Sequence, residues 1–187
     1  MEKEISIGVS NRHLHLSEAT YAKLFDEPIN KIRDLTQPGM FVTDKVVTLK
    51  TDNYQIDNVK LLGPLRDYDQ VEISHNDALK FKIDPPVRAS GDIQNAGVIT
   101  IKTEKNELTL PCVIIAERHI HISQKEANDL GLHDKQLVQV KIPGIKSGSI
   151  DAHIKVSNEA YLEMHIDTDD ANAIIINNEN NKGTLIW

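Results

Sequence analysis

Short runs of apolar, β-branched residues alternate along the chain with polar, turn-forming stretches. Met40 to Leu49, Val98 to Lys102 and Gln136 to Ile142 are strand-like. Leu108 to Ile115 is apolar enough to predict a buried strand, and Ile5 to Ser10 forms the first such segment. Pro38-Gly39, Gly63-Pro64 and Pro143-Gly144 punctuate these runs as turn signals. Only short helices are predicted, over Glu18–Phe25, Asn76–Phe81, Gln124–Leu130 and Asp169–Ile174. Many short strands with little helix predict a mainly β protein built from paired β-barrels.

The pattern also repeats. Ile7-Gly8-Val9-Ser10-Asn11-Arg12-His13-Leu14-His15-Leu16-Ser17 matches Val113-Ile114-Ile115-Ala116-Glu117-Arg118-His119-Ile120-His121-Ile122-Ser123. Each reads apolar strand, Arg, His, apolar, His, apolar, Ser, and the serine is placed to cap a helix. A later pair, Gln70 to Ala78 and Glu163 to Ala171, keeps the same order and sets Glu72 and His165 at one repeat position. The chain therefore reads as a duplication, residues 1–86 and 87–187, with the boundary near Pro85-Pro86 and room for strands to be exchanged between repeats.

Residues two apart on a strand face the same way. His13 with His15, and His119 with His121, thus each present two imidazoles from one sheet face. Glu72 and His165 supply a third donor to each repeat. Five imidazoles and one carboxylate suit two borderline divalent ions such as zinc. Three protein ligands per ion leave the open position that marks a catalytic site. His75, His133 and His153 lack this symmetry and are expected at the surface. Cys112 lies in the apolar run 108–115, so its thiol is expected to be buried and inert.

Composition narrows the classes. Forty per cent hydrophobic and 26% charged residues in 187 is ordinary globular composition. A net charge of −7 argues against nucleic acid as a partner. No apolar run approaches the roughly 20 residues that span a membrane, and no secretory signal opens the chain. One cysteine excludes an internal disulfide, and the chain reads as cytoplasmic.

Together these segments resemble the PduL-type phosphotransacylases, the phosphate propanoyltransferases and their acetate-using relatives. The resemblance runs through Ser10–Ser17, Leu62-Gly63-Pro64-Leu65-Arg66, Gln70–Ser74, Pro86–Asp92, Arg118–Ser123 and Glu163–Ala173. It implies two β-barrel domains with a two-zinc site in the cleft between them, and transfer of a short acyl group between coenzyme A and phosphate. Glu72, His119 and His121 are implied to hold one zinc, and His13, His15 and His165 the other. Arg66 matches the arginine that holds phosphate. Val9, Ser10, Asn11, Lys60 and Asn172 match contacts to coenzyme A. Asp69 departs from the usual threonine and is expected to adjust charge near the phosphate. Arg88 reads equally as a phosphate ligand or a tie between domains, and Arg12 and Arg118 as coenzyme A contacts or braces. The expected partners are small molecules: acyl-CoA, phosphate and acyl phosphate. A homo-oligomer is compatible with the sequence. Only Met1 to Glu4 precedes the first strand, so the microcompartment-targeting extension of some relatives is not expected. The ligand inventory alone also suits a dinuclear zinc hydrolase or a non-catalytic metal-binding module.

Overall fold

The fold is that of a computed structural model, which describes residues 1–158, 161–176 and 180–187. The chain opens with β1 (Glu2–Ser10), β2 (His13–His15), helix α1 (Glu18–Leu24), β3 (Lys31–Asp34), β4 (Phe41–Lys50) and β5 (Gln55–Gly63). It continues through β6 (Gln70–Glu72), α2 (His75–Phe81), β7 (Val87–Arg88), β8 (Gly97–Lys102) and β9 (Glu107–Ala116). The last part holds β10 (His119–Ser123), α3 (Gln124–Leu130), β11 (Leu137–Ile142), β12 (Gly148–Ser157), β13 (Glu163–Asp167), α4 (Thr168–Ile174) and β14 (Lys182–Ile186). The expected helices and strand runs all appear, with ends shifted by at most three residues.

Two compact units result, each with a six-stranded barrel. In residues 12–116, strands β4, β5, β2, β6, β9 and β8 close a circuit because β8 pairs with both β4 and β9. Leu14, Leu49, Leu61, Phe81 and Ile101 fill its interior, each removed from solvent. The other unit, residues 1–11 and 117–187, is a barrel in the order β1-β13-β10-β12-β11-β14. Ile7, Ile120, Ile122, Val140 and Leu185 form its core.

These units depart from the division at residue 86. Strand β1 runs parallel to β13 and antiparallel to β14, so the first eleven residues belong with the second half. The β8–β9 hairpin spans the gap between β4 and β6, so residues 87–116 belong with the first. Barrel closure requires a strand on each open edge, and the chain takes that strand from the other repeat.

All four helices begin alike. Ser17, Ser74, Ser123 and Asp167 each accept a hydrogen bond from the backbone N–H three residues on. Each cap follows the strand that carries the donor residues described next, so every helix starts at a fixed distance from them.

Candidate active site

Strand alternation builds both donor sets. Leu14 is fully buried in its core, so His13 and His15 emerge together from the opposite face of β2. Strand β6 runs antiparallel to β2, with His13 opposite Glu72 and His15 opposite Gln70. The donor atoms of His13, His15 and Glu72 lie within 4.8 Å of one another. Glu72 Oε2 is 3.5 Å from His13 Nε2.

The second barrel repeats this. Ile120 is buried, His119 stands opposite His165, and His121 stands opposite Glu163. His119, His121 and His165 bring their donor atoms within the same 4.8 Å limit. The His119 and His121 Nε2 atoms are 3.1 Å apart, and His119 Nδ1 lies 2.8 Å from the Glu117 carbonyl oxygen. A carbonyl only accepts, so Nδ1 carries the proton and Nε2 of a neutral His119 is left as a lone pair. Burial, then the neighbouring His119 and His165, pushes the His121 pKa down to about 2. A buried imidazole that stays neutral is the form a divalent ion binds. Both donor sets therefore suit zinc.

Each of these groups is drawn from one unit. Glu72 shares its cluster with His13 and His15, and His165 shares its cluster with His119 and His121. Directly opposed residues of an antiparallel pair are nearest neighbours, which brings Glu72 beside His13 and His165 beside His119.

Each cluster has a fourth corner that sequence reading missed. Gln70 is fully buried and donates to Glu72 Oε1 at 2.6 Å. Glu163 Oε2 lies 3.0 Å from His165 Nε2 and accepts from the Tyr161 hydroxyl at 2.5 Å. Both residues precede the third donor by two, so the period of a strand could have found them. Strand β1 passes so close here that a Cβ at Gly8 would sit 3.1 Å from Glu163 Oε2.

Arg66 belongs to the first barrel. Its backbone N–H donates to the Leu16 carbonyl, one residue beyond His15. Its Nη1 donates to the Tyr68 hydroxyl at 2.6 Å and to Ser90 Oγ at 3.3 Å. The guanidinium carbon also lies 5.5 Å from the Tyr68 ring centre. Among the described residues no carboxylate pairs with Arg66, which leaves its charge for an anion. Gln70 Nε2 also donates to Ser90 Oγ, at 2.9 Å, and its Oε1 accepts from Gly91 N–H at 2.7 Å. Gln70 thus joins Glu72 to the loop that meets Arg66.

Several other residues find partners within their own unit. The Asp69 carboxylate accepts from Ser17 N–H at 2.7 Å and Thr20 Oγ1 at 2.6 Å, so it anchors the start of α1. Arg88 folds onto its own loop, 3.5 Å from Asp92. Arg12 and Arg118 are braces: each makes two hydrogen bonds to one carboxylate, Asp77 in α2 and Asp170 in α4. His75 and His133 are exposed as expected, and His153 is half-exposed beside Glu117. Cys112 is buried, and burial, helped by Asp69, pushes its pKa up to about 12.

Of the residues matched to coenzyme A contacts, Val9 and Asn172 line one cavity of about 370 Å³ with Ile7, Gly8 and Ala171. Ser10 ends β1 opposite Asp167, and Asn11 follows it. Lys60 lies on β5 in the other unit, opposite His13.

Comparison with known proteins decides the family. The model of the phosphate propanoyltransferase family matches residues 6–177. The chain is 44% identical to a phosphate propanoyltransferase of Salmonella typhimurium, over 92% of this chain and 84% of that protein. It is 41% identical to one from Citrobacter freundii, over 99% and 90% of the two chains. With one from Thermotoga maritima the identity is 40%, over 94% and 86%. The chain belongs to the phosphate propanoyltransferase family. It is therefore an acyltransferase, and both three-donor clusters and Arg66 lie within the matched span. Among the described residues no helix is long and apolar enough to cross a membrane.

Proposed function

We propose that this family member interconverts a short-chain acyl-CoA and phosphate with acyl phosphate and coenzyme A, and holds two zinc ions on the six donors His13, His15, Glu72, His119, His121 and His165. The observation that carries this reading is the pair of matched clusters, His13–His15–Glu72 and His119–His121–His165, in a phosphate propanoyltransferase-family chain. Such ions, when bound, keep a thiol ionised at neutral pH and polarise carbonyl or phosphoryl oxygens.

The chain's own groups then have definite tasks. His15 and His121 are almost wholly buried, so their rings are fixed before substrate arrives. Arg66 presents a planar fork to phosphate oxygens. In the acyl phosphate-forming direction a phosphate oxygen attacks the thioester carbonyl, the carbon–sulfur bond breaks, and coenzyme A leaves as thiolate. Positioning of phosphate by Arg66 lowers the entropic cost of that encounter. The cavity that includes Val9 and Asn172 offers apolar walls and an amide for part of coenzyme A.

The test measures phosphate-dependent thiol release from acetyl-, propionyl- and butyryl-CoA before chelation, after it, and after zinc is restored. Activity should vanish on chelation, return with zinc, and yield one acyl phosphate per thiol. Thiol release that ignores phosphate would instead mean thioester hydrolysis and would overturn the reading.

A further inference from the structure

The hydrogen bonds around Ser90 fix where its proton points. Gln70 Oε1 faces the Gly91 N–H, which only donates, and Nε2 faces the Glu72 carboxylate, which accepts when ionised. That orients the Gln70 amide without ambiguity. Its two amide hydrogens are then directed to Glu72 Oε1 and Ser90 Oγ. Arg66 Nη1 donates to the same Ser90 oxygen at 3.3 Å. A serine hydroxyl has two lone pairs and one hydrogen. Both lone pairs of Ser90 are filled by donors, and neither donor can accept in return. Guanidinium has no acceptor, and the Gln70 nitrogen has none either. The Ser90 hydrogen must therefore go elsewhere, and among the described residues no side chain or backbone group takes it. Ser90 is half-buried, so this donor stands at the edge of the guanidinium where an oxyanion can reach it.

We propose that Ser90 is a second anion-binding residue of this enzyme, donating its hydroxyl hydrogen to an oxygen of the phosphate, or acyl phosphate, held by Arg66. This rests on the reading of Arg66 as the phosphate-binding arginine. Phosphate oxygens are acceptors throughout, which suits a donor whose own lone pairs are already used. Gln70 acts behind Ser90 as a positioning residue. It turns the hydroxyl outward, and through Glu72 it ties that hydroxyl to a metal-ligand candidate.

The experiment compares Ser90→Ala, Ser90→Thr and Arg66→Ala in steady-state assays, with calorimetric titration of inorganic phosphate and measurement of zinc content. Losing one hydrogen bond to a charged oxygen should raise the phosphate KM and Kd of Ser90→Ala roughly tenfold to a hundredfold. The acyl-CoA KM and the zinc content should not change. Ser90→Thr, which keeps a hydroxyl, should restore most of the loss. If Arg66→Ala weakens phosphate and Ser90→Ala does not, Ser90 is no donor and the proposal fails alone. If Arg66→Ala leaves phosphate binding untouched, the reading beneath it fails as well. Loss of zinc from Ser90→Ala would make Ser90 a support for Glu72, and would also overturn the proposal.

Discussion

Gln70 donates an amide hydrogen to Glu72 Oε1 at 2.6 Å while the other carboxylate oxygen faces His13 at 3.5 Å. The carboxylate is therefore committed to offering one oxygen to the cluster. Replacing Gln70 with Leu keeps the bulk and removes the donor. Zinc affinity at one of two centres should fall roughly tenfold to a hundredfold, the range for loss of a partner behind a metal ligand. With cobalt in place of zinc, visible absorption should weaken, because Glu72 gains freedom to bind through both oxygens and the coordination number rises. Competition against a chelator and the cobalt spectrum check this; wild-type values in both would contradict it.

Glu163 holds the corresponding corner of the other barrel, its Oε2 lying 3.0 Å from the imidazole Nε2 of His165. Glu163→Ala should weaken zinc binding by a similar factor of roughly ten to a hundred. Glu163→Gln, which can still accept from His165, should lose less. The second centre should be unaffected in both variants, so a titration should show one weakened and one ordinary zinc site.

Much of this was readable in the chain because it is local. The alternation of His13-Leu14-His15 and of His119-Ile120-His121 places both imidazoles on one face whatever the fold does. The capping serines Ser17 and Ser123 mark their helices within four residues. The division into barrels was not readable, since it depends on β1 pairing with β13 and β14 at the far end of the chain. The partners of Asp69, Arg12 and Arg118 were hidden for the same reason. Each is decided by a partner about fifty residues away or more, and composition carries no trace of it.

The two Arg–Asp braces should differ in strength. Asp77 is 3% exposed and its arginine 29%, whereas Asp170 and Arg118 are 19% and 43% exposed. Removing Arg12 strands a buried carboxylate beside the more distant Lys80, at a cost of about 3 kcal/mol. Removing Arg118 should cost about 1 kcal/mol or less, as for a solvated pair. Denaturant unfolding of Arg12→Met and Arg118→Met measures both, and equal losses would show that burial does not set the difference.

His121 makes the metal-free protein sensitive to acid. Its pKa falls from 6.5 in the unfolded chain to about 2 in the fold. Between those values the unfolded chain binds a proton that the folded chain refuses, so stability declines as pH drops below 6.5. The slope from this one group is at most about 1.4 kcal/mol per pH unit. His121→Leu should flatten the decline, and denaturant midpoints of the chelated proteins between pH 7 and pH 4 read it directly. A variant whose acid limb is as steep as the wild type's would exonerate His121.

Cys112 separates direct transfer from an acyl-enzyme route through its thiol. The side chain is 1% exposed, and burial raises its pKa to about 12, so at neutral pH it is a thiol without access to substrate. Direct attack of phosphate on the thioester needs no such group. Cys112→Ala should therefore keep kcat, apart from the effect of a small cavity that costs stability by about 1–2 kcal/mol. Incubating the wild type with labelled acyl-CoA, then quenching in acid, should leave no label on Cys112. A Cys112→Ala enzyme that is fully folded, holds its zinc and has lost turnover would require a covalent step through this thiol.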